Sequence, residues 1–160
     1  MTRPRVFLDT GVLIEGLVSS WSAARGVLIL GRAALFTFVV AEIVVEEAER
    51  ALLRKLGRGY GGVARLRDDF RLLMKRLRVE RIQHVSPARF EAARRLIRHV
   101  NDAPVLAAAL VARPDWLVTG NTKHFTVTVA RRTGLRIVTP TSFLEQSGAI
   151  LSLWSPTKGA

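Results

Sequence analysis

Short apolar runs alternate with amphipathic segments along this chain, and that alternation predicts a parallel β-sheet covered by helices. Runs rich in β-branched and aromatic residues predict strands, because a parallel sheet buries both faces of each strand. Such runs lie at residues 5–9, 35–40, 81–85, 115–119 and 135–139. The segments between them have helical periodicity. The pattern therefore predicts an α/β fold of the three-layer α/β/α class, with a central parallel sheet of about five strands.

Helical periodicity predicts helices in every connection but the last and again after the final strand. They are expected at residues 12–20, 21–33, 41–56, 63–78, 87–100, 103–112 and 141–147. Ser86 followed by Pro87 favours a helix start, since serine caps helices and proline fits their first turn. GRGYGG at 57–62 predicts a flexible break. We find no repeat or linker, and expect one domain over 1–150 with a C-terminal tail at 151–160.

The composition excludes several classes of site. The chain has 160 residues and no cysteine, which rules out disulfides, cysteine-based zinc sites and thiol nucleophiles. Its N-terminus leads directly into a strand without a signal-peptide pattern. No apolar stretch approaches the ~20 residues that span a bilayer. We expect a soluble, cytoplasmic protein with no membrane association.

The formal net charge of +12 is concentrated in one part of the chain. Residues 50–98 hold 15 Lys and Arg against four acids, whereas the rest holds 10 against nine. Such a basic segment can hold phosphates of a nucleic acid. It also fits a solvated helical face or a docking surface for an acidic protein. The predicted RNA contacts are Arg54, Arg58, Arg65, Arg71, Lys75, Arg76 and Arg78.

Four acidic or amide residues stand where predicted strands end or helices begin: Asp9, Glu47, Asp102 and Asn121. Ligands of open α/β sheets bind at the carboxyl ends of the strands, so these side chains can converge. Carboxylate and amide oxygens suit Mg²⁺ or Mn²⁺, which serve phosphodiester chemistry. Taken singly, each position is also explained by helix capping or by the helix dipole. The ordered set favours a metal site.

Helix geometry separates Glu47 from the neighbouring acids. The apolar stripe of the 41–56 helix is centred on Val44, Val45, Ala48 and Leu52, at 100° per residue. Glu42 and Glu46 are predicted to point to solvent. Glu47 and Glu49 lie on opposite borders of the stripe, from which a side chain can reach a pocket at the sheet edge.

These segments resemble the PIN-domain ribonucleases, a family that includes the VapC-type toxins of toxin–antitoxin pairs. The similar segments are FLDTGVL, AEIVVEEAERAL, DAPVLAAAL and WLVTGNTKHF, and the similarity spans about residues 5–145. The resemblance implies that Asp9, Glu47, Asp102 and Asn121 form the catalytic and metal-binding set, with Mg²⁺ or Mn²⁺ as cofactor. It also implies a homodimer and an antitoxin protein that occludes the site.

Two positions depart from the family pattern. Gly11 stands where Asn often follows Asp-Thr, and Asn121 stands where Asp is commoner, so the site has three formal negative charges. Other motifs are weak: GRGYGG follows a helix and does not predict a dinucleotide loop. His84, His99 and His124 lack metal-ligand spacing, although His124 is near the site in sequence. Trp21, Trp116 and Trp154 are predicted to be core or interface anchors.

The predicted function is metal-dependent cleavage of single-stranded RNA, as the toxin of a toxin–antitoxin pair. One alternative is a noncatalytic RNA-binding or protein-docking module that kept the fold without the fourth acid. A second alternative is a structure-specific DNA nuclease, although the chain is short for a clamp that threads branched DNA. Metal-dependent cleavage that is lost on Asp9→Asn distinguishes the first alternative, and activity on branched DNA the second.

Overall fold

The predicted alternation of strands and helices is present throughout the part of the chain that the structure describes. The computed structural model describes residues 3–59 and 61–154, with side chains of 3–59 and 61–149. The elements are β1 Arg5–Leu8, α1 Thr10–Val18, α2 Ala23–Arg32, β2 Thr37–Ala41, α3 Glu42–Leu56, α4 Val63–Leu77, β3 Glu80–Ile82, α5 Pro87–Arg94, α6 Ala103–Ala112, β4 Trp116–Val118, α7 Val127–Thr133, β5 Ile137–Val138 and α8 Pro140–Trp154. A single 3-10 turn, Val100–Asp102, precedes α6.

The strands form one parallel sheet in the order β3-β2-β1-β4-β5. One group of helices packs together through neighbouring pairs and contains α1, α2, α3, α4 and α8. Helix α5 packs on α6. Crossovers between parallel strands are right-handed. The chain moves across the sheet in one direction from β1 to β3 and in the other direction from β3 to β4, so α5 and α6 lie on the face opposite that first group of helices. The three-layer α/β/α prediction with five parallel strands is confirmed.

The strand order reverses between β1 and β4. The chain leaves β1 toward β2 on one side, whereas it leaves β4 toward β5 on the other. At such a reversal the connections diverge and leave a crevice at the carboxyl ends of the two strands. Val6 pairs with Trp116 and Leu8 with Val118, so the residues following Leu8 and Val118 meet at that crevice.

The core consists of the three central strands β2, β1 and β4 and the inner faces of the helices, whereas the edge strands β3 and β5 are not fully buried. Strand residues Val6, Phe7 and Leu8 have no exposed surface, as expected for strands covered on both faces. On α6, small alanines are buried on most sides, which allows this helix to lie close to the sheet. Gly31 of α2 serves the same purpose, because an added Cβ would lie only 2.0 Å from the Phe38 ring.

Several boundaries differ from the predicted ones. α5 ends at Arg94 instead of near Val100, because the chain turns away and buries Ile97, and no glycine or proline marks that turn. α7 was not predicted: its seven residues are too few for a clear period. α8 runs past the predicted end at 147 to Trp154. The SPTKGA tail lies outside the described residues.

One side-chain prediction needs correction. Glu42, predicted to point to solvent, is half-buried and pairs with Arg81 at 2.7 Å. Of the tryptophans, Trp116 lies in the core and its indole N–H donates to Gln146 Oε1. Trp21 is 98% exposed and is therefore not a core residue. The Trp154 side chain lies outside the described part.

The predicted break at 57–62 is present between α3 and α4. Gly61 and Gly62 have φ angles of 84° and 109°, a backbone region that side chains other than glycine disfavour. Over residues 3–59 and 61–154, no single helix is long and apolar enough to cross a membrane. The helix pair α1 and α2 together would satisfy length and composition, but it is bent by 93°.

Candidate active site

Asp9 lies directly after β1, in the crevice where the strand order reverses. Its backbone N–H donates to the Val118 carbonyl of β4 at 3.1 Å. Oδ1 accepts from the Thr10 backbone N–H at 2.7 Å, and Oδ2 accepts from the Thr119 hydroxyl at 2.7 Å. Asp9 is also the N-cap residue of α1. The capping explanation considered for Asp9 is therefore correct, but it accounts for only one of the two oxygens.

Glu47 lies on α3, and the buried face of this helix is the one that the sequence predicted. Val44, Val45, Ala48 and Leu52 are buried, and Glu46 is exposed. Glu47 Oε2 accepts a hydrogen bond of 2.9 Å from the Thr10 hydroxyl. Glu47 is the sixth residue of α3 and thus outside the first turn, where an acid would complement the helix dipole.

Thr10 holds two of the predicted site carboxylates. Its backbone N–H donates to Asp9, and its hydroxyl donates to Glu47. Both carboxylates are therefore fixed relative to the N-terminus of α1. The adjacent Gly11 has nothing within 4 Å of the position of a Cβ, so this position has room for a side chain.

Asp102 ends the 3-10 turn before α6. Its side chain makes no capping hydrogen bond to α6, so the capping explanation is wrong at this position. Oδ2 instead lies 2.6 Å from His124 Nδ1. The side chain is 22% exposed, and it faces the same pocket as Asp9.

Asn121 follows β4, and its side chain also contacts His124. Nδ2 of Asn121 lies 2.8 Å from His124 Nδ1, and Thr126, rather than Asn121, caps α7. Capping therefore does not explain Asn121. A hydrogen on His124 Nδ1 donates best to the Asp102 carboxylate, the shorter and charge-assisted contact. The amide nitrogen of Asn121 is then a second donor beside the same ring atom and gains no acceptor from it.

His124 is the residue that the sequence pattern did not select. It is 31% exposed and joins Asp102 to Asn121 through one ring nitrogen. Its ring also stacks on His99, with centroids 3.5 Å apart and planes 19° apart. A spacing of 25 residues between the two histidines gives no motif, because the contact depends on how the loop after α5 meets the loop after β4.

One pocket of about 540 Å³ gathers all four predicted site residues. Asp9, Glu47, Asp102 and Asn121 line it, together with Thr10, Gly11, Glu15, Asn101, Val105 and Gly120. We call it the acidic pocket. Glu15 is an acid that the sequence prediction omitted. It lies four residues after Gly11 on α1, so helical spacing alone places it on the pocket side.

Burial and neighbouring charge perturb the ionisation of Asp9 in this pocket. Asp9 is only 9% exposed. Desolvation raises its pKa above the usual value, and the charges of Asp102 and Glu47 raise it further. The hydrogen bonds from Thr119 and Thr10 oppose that rise in the pKa. Ionised Asp9 is therefore destabilised by its own site unless a cation is nearby.

The donor set fits a hard divalent cation in its chemistry, but the side chains are not arranged as a finished metal site. Four carboxylates line the acidic pocket, those of Asp9, Glu15, Glu47 and Asp102, together with the amides of Asn101 and Asn121. Such oxygens are the ligands of Mg²⁺ and Mn²⁺. Within the described residues, however, no three acidic or imidazole side chains are grouped closely enough to hold one ion. The carboxylates of Asp9, Glu47 and Asp102 instead each have a protein donor: Thr119, Thr10 or His124.

The predicted RNA contacts lie on another part of the surface. Arg54, Arg58, Arg65, Arg71, Lys75, Arg76 and Arg78 are all exposed, and none lines the acidic pocket. Arg71 and Arg67 reach Glu49 at 3.6 and 3.1 Å. Because Glu47 and Glu49 lie on opposite borders of α3, this helix separates α4 from the acidic pocket.

Comparisons with known proteins agree with the architecture. A family model described as PIN domain matches residues 5–123. A crystal structure of VapBC2 from Rickettsia felis, bound to a DNA fragment from their promoter, is similar with a TM-score of 0.61 and 17% identity, covering 84% of this chain and 98% of that one. A toxin–antitoxin complex from Klebsiella pneumoniae is similar with a TM-score of 0.59 and 22% identity, covering 84% and 97%. No curated protein matches the sequence. The family model covers most of the chain, and the chain therefore belongs to the PIN domain family.

Proposed function

We propose that the chain is a divalent-metal-dependent endoribonuclease that cleaves single-stranded RNA. The observation that carries this proposal is the meeting of Asp9, Glu47 and Asp102 in one pocket at the crevice between β1 and β4. These residues are distant in sequence. Helix capping accounts for neither Glu47 nor Asp102, and the charged partner nearest to Asp102 is a histidine that itself contacts Asn121 of the same pocket.

Asp9, Glu47 and Asp102 would hold Mg²⁺ or Mn²⁺, and Asn121 would complete the site. A cation bound there supplies charge stabilisation at the phosphoryl oxygens and a more acidic water as the attacking group. Like carboxylates 4–5 Å apart repel by roughly 3–4 kcal/mol at an effective dielectric of 20. Burial is the main cause of the raised pKa of Asp9, and the charges of Asp102 and Glu47 contribute to it.

The remaining residues of the pocket would position these acids. Thr119 and Thr10 fix the Asp9 carboxylate, and Thr10 also fixes Glu47. His124 orients Asp102 through Nδ1. Such hydrogen bonds restrict the rotation of side chains that bind a metal and fix their orientation.

We also propose that the chain acts as the toxin of a toxin–antitoxin pair. The similarity of its fold to VapBC2 and to a second toxin–antitoxin complex supports this role. The partner would be an antitoxin protein that covers the acidic pocket, and we propose a homodimer in the cytoplasm as the working form. The basic face of α4 would contact either RNA or that partner.

Two observations favour the noncatalytic alternative. Within the described residues no ready-made cluster of three ligands exists, and Asn121 lacks the charge of an acid. A module of this kind would bind RNA or a protein partner without cleaving. A decisive test must therefore measure turnover and binding separately.

The test is cleavage of an end-labelled single-stranded RNA by the purified chain, with Mg²⁺, with Mn²⁺ and with EDTA. We expect cleavage with either metal and none with EDTA. Asp9→Asn should abolish cleavage and retain RNA binding, whereas Glu46→Gln, an exposed neighbour of Glu47, should retain both. Binding by wild-type protein without cleavage under every metal condition would favour the noncatalytic module. Cleavage of branched DNA in preference to RNA would favour a DNA nuclease.

A further inference from the structure

A second cavity of about 350 Å³ lies between the loop after α5 and the segment from β4 into α7. Its charged and imidazole side chains are Arg95, Arg98, His99, Lys123, His124 and Arg132. We call it the basic cavity. No carboxylate lines it, whereas the cavity between α3 and α4 places Glu42 and Glu49 among its basic residues.

Within the described residues, the arginines and the lysine of the basic cavity are free of the ion pairs that neutralise other cations, and only the imidazole of His124 contacts a carboxylate, that of Asp102. Across residues 3–59 and 61–149, carboxylates pair with Arg5, Arg67, Arg71, Arg81 and Arg94. None of those pairs involves Arg95, Arg98, Lys123 or Arg132. Four unneutralised positive charges around a concave surface produce a strong local positive potential, because low-dielectric walls focus the field.

His124 connects the basic cavity to the acidic pocket. Its ring nitrogen Nδ1 contacts Asp102 and Asn121, which line the acidic pocket. The ring itself stacks on His99 and lines the basic cavity. A negatively charged chain that crosses His124 would thus pass from the acidic pocket directly into the basic cavity.

We propose that the basic cavity binds a backbone phosphate of the RNA strand, next to the phosphodiester that is cleaved in the acidic pocket. This inference rests on the proposed function. Guanidinium groups bind phosphate oxygens with two parallel hydrogen bonds, and lysine adds a point charge. The hydroxyls of Thr126 and Thr128 also line the cavity and supply neutral donors.

The function of this subsite is to set the position of the strand. A phosphate held in the basic cavity fixes the neighbouring phosphodiester over Asp9, Glu47 and Asp102. Phosphate contacts position a nucleic acid without reading its sequence. The basic cavity therefore contributes affinity and register, and base preference arises elsewhere.

The first test uses inorganic phosphate as the probe, in EDTA and at constant pH, with the imidazole NMR signals as reporters. The chain has three histidines, and exposed His84 does not line the basic cavity, so it is an internal reference. Phosphate should shift the signals of His99 and His124 and leave that of His84 unchanged. The double variant Arg98→Gln/Arg132→Gln should lose the response.

The matched control is Arg89→Gln/Arg131→Gln. This variant also loses two arginine charges, but they are lost from exposed positions on α5 and α7 that do not line the basic cavity. Arg131 is adjacent to Arg132 in sequence. A difference between the two double variants therefore reports the position of the lost charges and not their number. The control should retain the phosphate response.

The second test measures binding of a labelled single-stranded oligoribonucleotide across a range of salt concentrations. All proteins carry Asp9→Asn so that the RNA is not cleaved. Arg98→Gln/Arg132→Gln should weaken binding by about tenfold relative to the control, as expected when charge-assisted hydrogen bonds are removed. The slope of log affinity against log salt should fall by ~0.7 for each phosphate that the variant no longer binds.

The outcomes separate this inference from the proposed function. Absence of a phosphate response at His99 and His124 would overturn the anion site, whether or not the chain cleaves RNA. A phosphate response combined with equal RNA affinity of cavity and control variants would overturn the assignment to RNA and indicate another anion, such as an acidic segment of a protein partner. A phosphate response with no RNA binding or cleavage by any form would contradict the proposed function itself, and with it the RNA assignment.

Discussion

The hydroxyl of Thr119 donates a 2.7 Å hydrogen bond to Oδ2 of Asp9, although 110 residues separate the two in sequence. Parallel pairing of β1 with β4 brings them together. The same hydroxyl oxygen accepts from the Asn121 backbone N–H at 3.0 Å. Thr119 therefore connects the first predicted acid to the loop that carries the last predicted site residue.

Replacing Thr119 by valine should shift the pH dependence of cleavage. The variant keeps the side-chain shape but removes a hydrogen bond that lowers the pKa of Asp9. The pKa should rise further, so the acidic limb of the pH–rate profile should move to higher pH. Loss of this bond to a buried charged group should also lower the free energy of unfolding by about 1–3 kcal/mol. Thr119→Ser retains the hydroxyl and should restore both properties. An unchanged pH profile in Thr119→Val would contradict the role.

Replacing Asp9 by asparagine should stabilise the metal-free protein at neutral pH. Because the pKa of Asp9 is raised in the folded state, the folded state favours the protonated acid, and stability falls as pH rises from the usual Asp pKa through the raised value. Asparagine has no charge to lose. The Tm difference should be close to zero at acidic pH and positive at neutral pH, where a gain of 1 kcal/mol corresponds to roughly 2–4 °C.

The measurement is thermal unfolding of wild type and Asp9→Asn in EDTA at several pH values, repeated with Mg²⁺. The cation should raise the Tm of wild type and have little effect on the variant, because binding to the folded state stabilises it by mass action. A variant that is less stable than wild type at neutral pH in EDTA would mean that the hydrogen bonds of Asp9 outweigh its desolvation.

Glu47 and Glu46 should differ strongly in function despite their adjacency. Glu47 lines the acidic pocket, whereas Glu46 is exposed. Glu47→Gln should lower the metal-dependent rate by about two orders of magnitude, in the range found when one electrostatic contact of a transition state is removed. Glu46→Gln should be neutral. The two rates, measured with saturating Mg²⁺ and at matched Tm, compare the positions directly, and a reversed order would place the site on another face of α3.

Asn121→Asp should strengthen metal binding. The substitution adds a fourth negative charge to the proposed ligand set of Asp9, Glu47 and Asp102, and it replaces a donor beside His124 Nδ1 by an acceptor. One added carboxylate should raise the Mg²⁺ affinity by about tenfold or more, given Coulomb energies of roughly 3–4 kcal/mol at an effective dielectric of 20. Isothermal titration with Mg²⁺ measures the change. An affinity equal to that of wild type would mean that this position does not face the cation.

The sheet and the phase of α3 were predictable because they depend on local patterns. Four residues of β1 and all ten of α6 lie within the predicted ranges, since buried strands and an alanine-rich helix leave strong signals. Glu47 was identified because burial of Val44, Val45, Ala48 and Leu52 fixes the rotation of the helix. The strands and the buried face of α3 depend on residues that are close together in sequence.

The connections around His124 could not be predicted in the same way. The end of α5 at Arg94 has no glycine or proline signal, and the stacking of His99 on His124 depends on two loops that meet in space. The concentration of charge over 50–98 was visible in the sequence. The sequence did not show that this charge is divided between the α4 face and the basic cavity. Arg95 and Arg98 line the cavity beside Lys123 and Arg132, which are distant from them in sequence.

The position of β4 beside β1 has a consequence for the order in which the protein acquires activity. Val6 and Trp116 are 110 residues apart, so the pairing of β1 with β4 closes only after the intervening chain has been made. Contacts of such long sequence separation form late in folding. Asp9 cannot meet Thr119 or Asn121 on an unfinished chain. If the proposed function holds, a chain that ends before β4 should therefore lack cleavage activity.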